Sequence, residues 1–199
     1  MSSQVFEAPR RGLNPRQAET VERLLVAGLE ELRAVGHEAL TVRTVAQRAG
    51  VSPATAYTYL ASKNHLFAEL FWRHVSTSQT PVSTSPRAVE RVQDAVRGLT
   101  ELLVVEPELT AAVTPALLGT DPDVARLRLR IGAEFVARFE AALRDPADHP
   151  TAAPDPAVVE VLVLSLSGAL LQASMGLMGY GEIADRLSSA VDVILRGNA

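Results

Sequence analysis

The chain has 199 residues, no cysteine and a formal charge of −4, with 47% apolar and 21% charged residues. That is enough for one or two domains with a real core, in the range of soluble globular proteins. Without cysteine there are no disulfides, zinc–thiolate sites or cysteine nucleophiles, and MSSQVFEAPRRG lacks the apolar run of a secretory signal, so a cytosolic protein is expected.

The charge is uneven. Residues 1–75 carry nine Arg or Lys against seven Asp or Glu, a net +2, and residues 76–199 carry ten against sixteen, a net −6. The asymmetry mildly favours a nucleic-acid contact at the N-terminal end. Residues 1–13 include Arg10-Arg11 and read either as a frayed tail or as a basic arm along DNA. Asn14, Pro15 and Gln17 then read as N-cap, N1 proline and capping-box partner. Val21, Leu24, Leu25, Leu29, Leu32 and Val35 follow at helical spacing up to Gly36.

Thr41 to Leu66 carries two short helical patterns and the start of a third. Thr41 is a natural N-cap, Leu40 is placed to staple onto Val45, and Gly50 suits the left-handed residue that ends a helix. Ser52 caps again, with Pro53 at the first helical position. Two helices of about two turns joined by a tight glycine-containing turn describe either a helix-turn-helix or an ordinary helical hairpin. In the former the second helix enters the DNA major groove.

Ser62 caps a fourth helix bearing Leu66, Phe67, Leu70, Phe71 and Val75. Residues 76–86 hold seven Ser or Thr and mark a linker. Helices are predicted over 86–105, 107–118, 121–145, 157–180 and 182–196, with a four-proline loop at 145–156. Val161 to Gly181 is 21 residues without a charge, nearly long enough to span a bilayer. Ser165, Ser167, Gln172 and Ser174 dilute it and no basic cluster flanks it, so it reads as a helix buried between its own bundle and a second subunit. The fold class is all-α with about nine helices. An arm at 1–13 leads to a helix-turn-helix domain at 14–75 and a ligand-binding and dimerisation bundle at 76–199.

Residues 16–75, and TVRTVAQRAGVSPATAYTYLASKNHL in particular, resemble the TetR family of bacterial transcriptional regulators. The resemblance implies a homodimer, joined through its last two helices, on a pseudo-palindromic double-stranded operator. It further implies repression relieved by a small molecule in the C-terminal domain. Carried over by position, Thr41 contacts the backbone and Arg43 faces either a base edge or a phosphate. Thr55 and Tyr57 lie on the recognition helix, and Tyr59 and Lys63, the only lysine, hold phosphates. For Tyr57 and Tyr59 the competing assignment is hydrophobic core, with Ala56 and Leu60 on the buried face. The sequence departs from the family pattern at Ala54, Ala56, Leu60 and Asn64-His65, the last replacing a usual acidic pair. His65 is expected to weaken the Ser62 capping box. The recognition helix has no charged side chain, so readout falls to hydroxyls and to methyl contacts with thymine.

A ligand pocket is expected among the helices between 86 and 180. Its candidate lining residues are Leu103, Val113, Leu117, Phe135, Phe139, Leu164, Gly168, Leu171, Gln172 and Met175. Each is equally a core position. The few charges on these helices point to a neutral or largely apolar effector. No cofactor, metal site or membrane span is expected. His37, His65, His74 and His149 have no metal-ligand spacing, and no G-x-S-x-G or phosphate loop appears, which argues against an enzyme. The competing function is a helical small-molecule-binding or scaffolding protein that no longer binds DNA.

Overall fold

In the computed structural model, which describes residues 14–78, 83–144 and 153–196, every regular element is helical. Arg10-Arg11 lies outside the described residues, as does most of the proline-rich loop. The helices are α1 (Pro15–Ala39), α2 (Val42–Arg48), α3 (Pro53–Tyr59), α4 (Lys63–Thr77), α5 (Ala88–Val105), α6 (Pro107–Leu118), α7 (Ala125–Leu143), α8 (Pro156–Ser174) and α9 (Ile183–Arg196). A single 3-10 turn, Tyr180–Glu182, precedes α9.

Local chemistry accounts for most of the ends. Asn14 and Gln17 form the reciprocal capping box, at 2.9 and 3.0 Å. Gly36, at φ +75°, interrupts α1, where the hydrophobic period also stops. The 157–180 pattern yields a shorter helix than its composition suggests. Gly176 takes φ +72°, its N–H reaches Ala173 O at 3.0 Å, and Leu177 N–H reaches Gln172 O at 3.0 Å, closing α8 at Ser174.

The described chain divides into two compact units. The first holds the residues up to Arg73 together with Glu108–Arg128. Leu24, Leu32, Leu40, Val45, Ala56, Leu66, Phe67 and Phe71 form its core, each at most 2% exposed. An ion pair from Arg73 to Glu22 ties α4 to α1. The composition shift at residue 76 left α6 with the C-terminal bundle; the structure groups it with the helix-turn-helix. Asn64 Nδ2 donates to Asp121 Oδ2 at 2.9 Å, and Arg128 donates to the carbonyls of Leu117 (2.7 Å) and Ala116 (3.2 Å). These bonds fasten the α6–α7 connection onto the start of α4.

The second unit holds His74–Pro107 and the described residues from Leu129 on. Here α9 packs against α5 and α8. Ile183, Leu187, Val191 and Leu195 make its inner stripe, and Gln93 of α5 donates to Asp192 Oδ1 at 3.0 Å. Arg91, almost fully buried, donates to Ala142 O at 2.9 Å and Ser85 O at 2.8 Å, so a core charge is spent on helix-end carbonyls. Leu162, Leu166, Ala169 and Ala173 bury one face of α8, while Val161, Leu164, Leu171 and Met175 on the other are 44–63% exposed.

Candidate nucleic-acid interface

The α2–α3 pair is built from short-range bonds. Thr44 N–H donates to Thr41 Oγ1 at 3.1 Å, and Thr41 N–H to Thr44 Oγ1 at 3.2 Å. At the turn, Gly50 at φ +65° lets its N–H reach Gln47 O (3.1 Å) and Val51 N–H reach Ala46 O (3.0 Å). These two bonds satisfy the last carbonyls of α2 and reverse the chain. Ser52 Oγ then accepts Thr55 N–H at 3.1 Å to start α3. Val42, Val45, Ala46, Ala56 and Leu60 turn inward, as the apolar pattern predicts. Glu31 of α1, buried, accepts from Arg48 Nε at 2.7 Å and fixes α2 to the scaffold.

The residues assigned to DNA differ in exposure. Thr41, Arg43 and Lys63 are exposed, Thr55 and Tyr59 are half-buried, and Tyr57 is 47% exposed. Of the two tyrosines, Tyr57 is thus the one left in solvent. Lys63 Nζ donates to His37 O at 3.3 Å, so the end of α1 holds this ammonium beside the motif.

The start of α4 carries contacts that motif reasoning missed. Ser62 Oγ accepts His65 N–H at 3.1 Å, and His65 Nδ1 accepts Ala61 N–H at 3.3 Å. His65 therefore does not weaken the cap: its ring takes over one amide of the entering chain. The ring is buried, which lowers its pKa below the ordinary histidine value; Glu69, Asp123 and Asp121 act in the opposite direction. Asp121 and Asp123 also give a physical reason for the departure at 64–65. An acidic pair here would meet two further carboxylates, whereas Asn64 and neutral His65 do not. The only signal in the sequence was that departure itself.

The proposed pocket residues fall in both units. Val113 and Leu117 belong to the first unit, while Leu103, Phe135, Phe139, Leu164, Gly168, Leu171, Gln172 and Met175 belong to the second. Leu103 and Phe139 are core, and Phe135 and Gly168 are half-buried. Leu164, Leu171, Gln172 and Met175 are exposed, because α8 is apolar nearly all round and its period does not mark the inner face. A groove of about 560 Å³ lies in the second unit, lined by Val136 and Glu140 of α7, Arg144 just after it, Val159, Glu160, Val163 and Leu164 of α8, and neighbouring residues. Among the described residues no group of three His, Cys, Asp or Glu is placed to hold a metal ion. Pro156–Ser174 is long and apolar enough to cross a membrane by length and composition; one third of its most apolar stretch is buried in the fold.

A capped helix, a Schellman turn and a second capped helix with exposed Tyr57, seated on a buried scaffold, define a helix-turn-helix DNA-binding protein. Residues 24–70 match the model described as "Bacterial regulatory proteins, tetR family". An uncharacterised HTH-type transcriptional regulator of Mycobacterium tuberculosis H37Rv is 42% identical over 186 residues, covering 92% of this chain and 84% of that one. The HTH-type transcriptional repressor KstR of Rhodococcus jostii RHA1 is 33% identical over 133 residues, 65% of this chain and 62% of the relative. Among solved structures, a TetR transcriptional regulator from Rhodococcus sp. RHA1 superposes with TM-score 0.70 at 22% identity, covering 92% and 98% of the two chains. The multidrug binding protein EbrR superposes with TM-score 0.63 at 22% identity, covering 94% and 97%. The chain belongs to the TetR family of transcriptional regulators and is not an enzyme.

Proposed function

We propose that the protein is a cytosolic repressor. It binds a pseudo-palindromic operator as a homodimer, and a neutral or apolar small molecule releases it. The observation that carries this reading is the α2–α3 motif, closed by its own caps and turn with Arg43, Tyr57 and Lys63 outward. The repressor assignment is supported by the likeness to KstR, named a repressor. Thr41, Tyr59 and Lys63 are assigned to phosphates, and Arg43, Thr55 and Tyr57 to base edges.

Dimerisation through α8 and α9 is supported by the open face of α8. Val161, Leu164, Leu171 and Met175 stand at helical spacing, and Val193 of α9 is 69% exposed. Solvent disfavours such a row, and a two-fold partner presenting the same row covers both. This assigns Val161, Leu171 and Met175 to a subunit interface, with Leu164 between that interface and the groove, and leaves Leu103, Phe135, Phe139 and Gly168 as core or half-buried positions. The α7–α8 groove is the effector site we favour. Its volume falls in the range of about 300–1,000 Å³ typical of small-molecule sites. Its walls are mainly aliphatic; Glu140 and Arg144 pair with each other at 3.2 Å, and Glu160 adds one carboxylate to the lining, so a multiply charged anion meets no net positive charge there.

The test is a gel shift against DNA flanking the protein's own gene, repeated across salt concentrations. A shifted band whose affinity falls with salt is expected. No shift at low salt would favour the alternative, a helical ligand-binding or scaffolding protein without DNA affinity. Calorimetry with apolar and multiply charged compounds tests the effector class, and tight binding of a multiply charged one refutes it.

A further inference from the structure

We propose that α3 reads thymine through its methyl group, so that the recognition helix selects T-rich half-sites by apolar contact. The proposal rests on the DNA-binding reading above and names the sequence class that the same site takes. Its starting point is where the hydroxyls of α3 are spent. Ser52 Oγ accepts Thr55 N–H at 3.1 Å and shares a 2.8 Å hydrogen bond with Thr55 Oγ1. Thr58 Oγ1 donates to Ala54 O at 3.0 Å. The expectation that hydroxyls carry the readout therefore meets a helix whose serine and threonine hydroxyls already serve its own backbone and cap.

Two of these bonds also fix orientation. A threonine whose Oγ1 bonds the carbonyl four residues back turns its methyl away from the backbone. Ala54 and Thr58 are exposed, and with Thr55 and the ring of Tyr57 they form a small aliphatic and aromatic surface. No side chain from Ser52 to Leu60 is charged, so the helix has no fork for guanine and no carboxylate for cytosine. Among the major-groove edges only thymine presents a methyl, and that is the group such a surface buries. Guanine contacts, where they occur, come from Arg43 on α2, one face removed from α3.

The full-length protein is used to select duplexes from a random library, and the best duplex is resynthesised with thymines replaced one at a time by uracil. This change removes only the C5 methyl. Affinity is expected to fall about fourfold at each thymine facing α3, the effect of one buried carbon group. Thr58→Ser keeps the hydroxyl and removes the methyl; it should abolish the thymine–uracil difference at one position per half-site. Thr58→Val keeps the shape and removes the hydroxyl, and it should retain the thymine–uracil difference that Thr58→Ser loses. Equal binding of uracil and thymine duplexes overturns the proposal while leaving DNA binding intact. So does loss of the thymine–uracil difference in Thr58→Val with a native circular dichroism spectrum. Failure of the library to enrich any sequence overturns the DNA-binding reading and the proposal with it.

Discussion

Asn64→Asp changes one nitrogen to oxygen and turns a hydrogen bond into a repulsion. In the wild-type chain Asn64 Nδ2 donates to Asp121 Oδ2 at 2.9 Å, while Asp121 Oδ1 accepts Asp123 N–H at 3.0 Å. The variant loses a bond contributing about 1 kcal/mol. It also sets two carboxylates at close range at a half-exposed site, costing about 1–2 kcal/mol. A negative charge in the first turn of α4 recovers roughly 0.3–1 kcal/mol from the helix dipole. The net loss is about 1–2.7 kcal/mol, or a Tm lower by about 2–11 °C for a chain of this size. Asp121→Asn alone costs less, because the Asn64 amide turns over to accept from the new amide N–H while the new amide oxygen still accepts Asp123 N–H. Together the two changes restore every bond with donor and acceptor exchanged. Thermal unfolding of wild type, both single variants and the double variant at low salt therefore gives a double variant more stable than Asn64→Asp. Additive losses in that cycle would refute the assignment of the contact as the fastener of the α6–α7 connection.

Lys63→Ala should weaken binding to all DNA sequences similarly and lower the salt slope of log affinity by roughly one unit; equal slopes in a salt titration sink the phosphate assignment. His65 is held neutral by burial, and the unfolded chain takes up its proton at about pH 6.5, above the folded value. Stability is then full above about pH 6.5 and falls as pH drops toward the folded pKa. His65→Gln should flatten that part of a Tm-against-pH curve, and an unchanged slope argues against His65 as its source. Gly28→Ala builds a Cβ 2.8 Å from Leu66 Cδ1 and 3.1 Å from Cδ2, and Leu66 is fully buried with little freedom to retreat. The overpacking of about 1–3 kcal/mol exceeds the gain of about 1 kcal/mol in helix propensity, so denaturant unfolding should show a net loss. A more stable variant would show that the α1–α4 contact has slack.

The sequence alone determined the elements whose chemistry is local. The caps at Asn14, Thr41, Ser52 and Ser62 and the turn at Gly50 each join residues at most five positions apart, so spacing suffices to read them. The inner stripe of α9 was equally legible, because polar residues on its other face make the helical period visible. Tertiary structure decided what lies beyond that range. Asn64 meets Asp121 across 57 positions, Glu31 meets Arg48 across 17, and α6 joins the unit that carries the DNA-reading helix. It also decided which half of α8 is core: with Leu, Val and Ala on every side, burial followed the neighbours that α9 presents. A hydrophobic period records a boundary between water and core, and a helix with apolar residues all round records none.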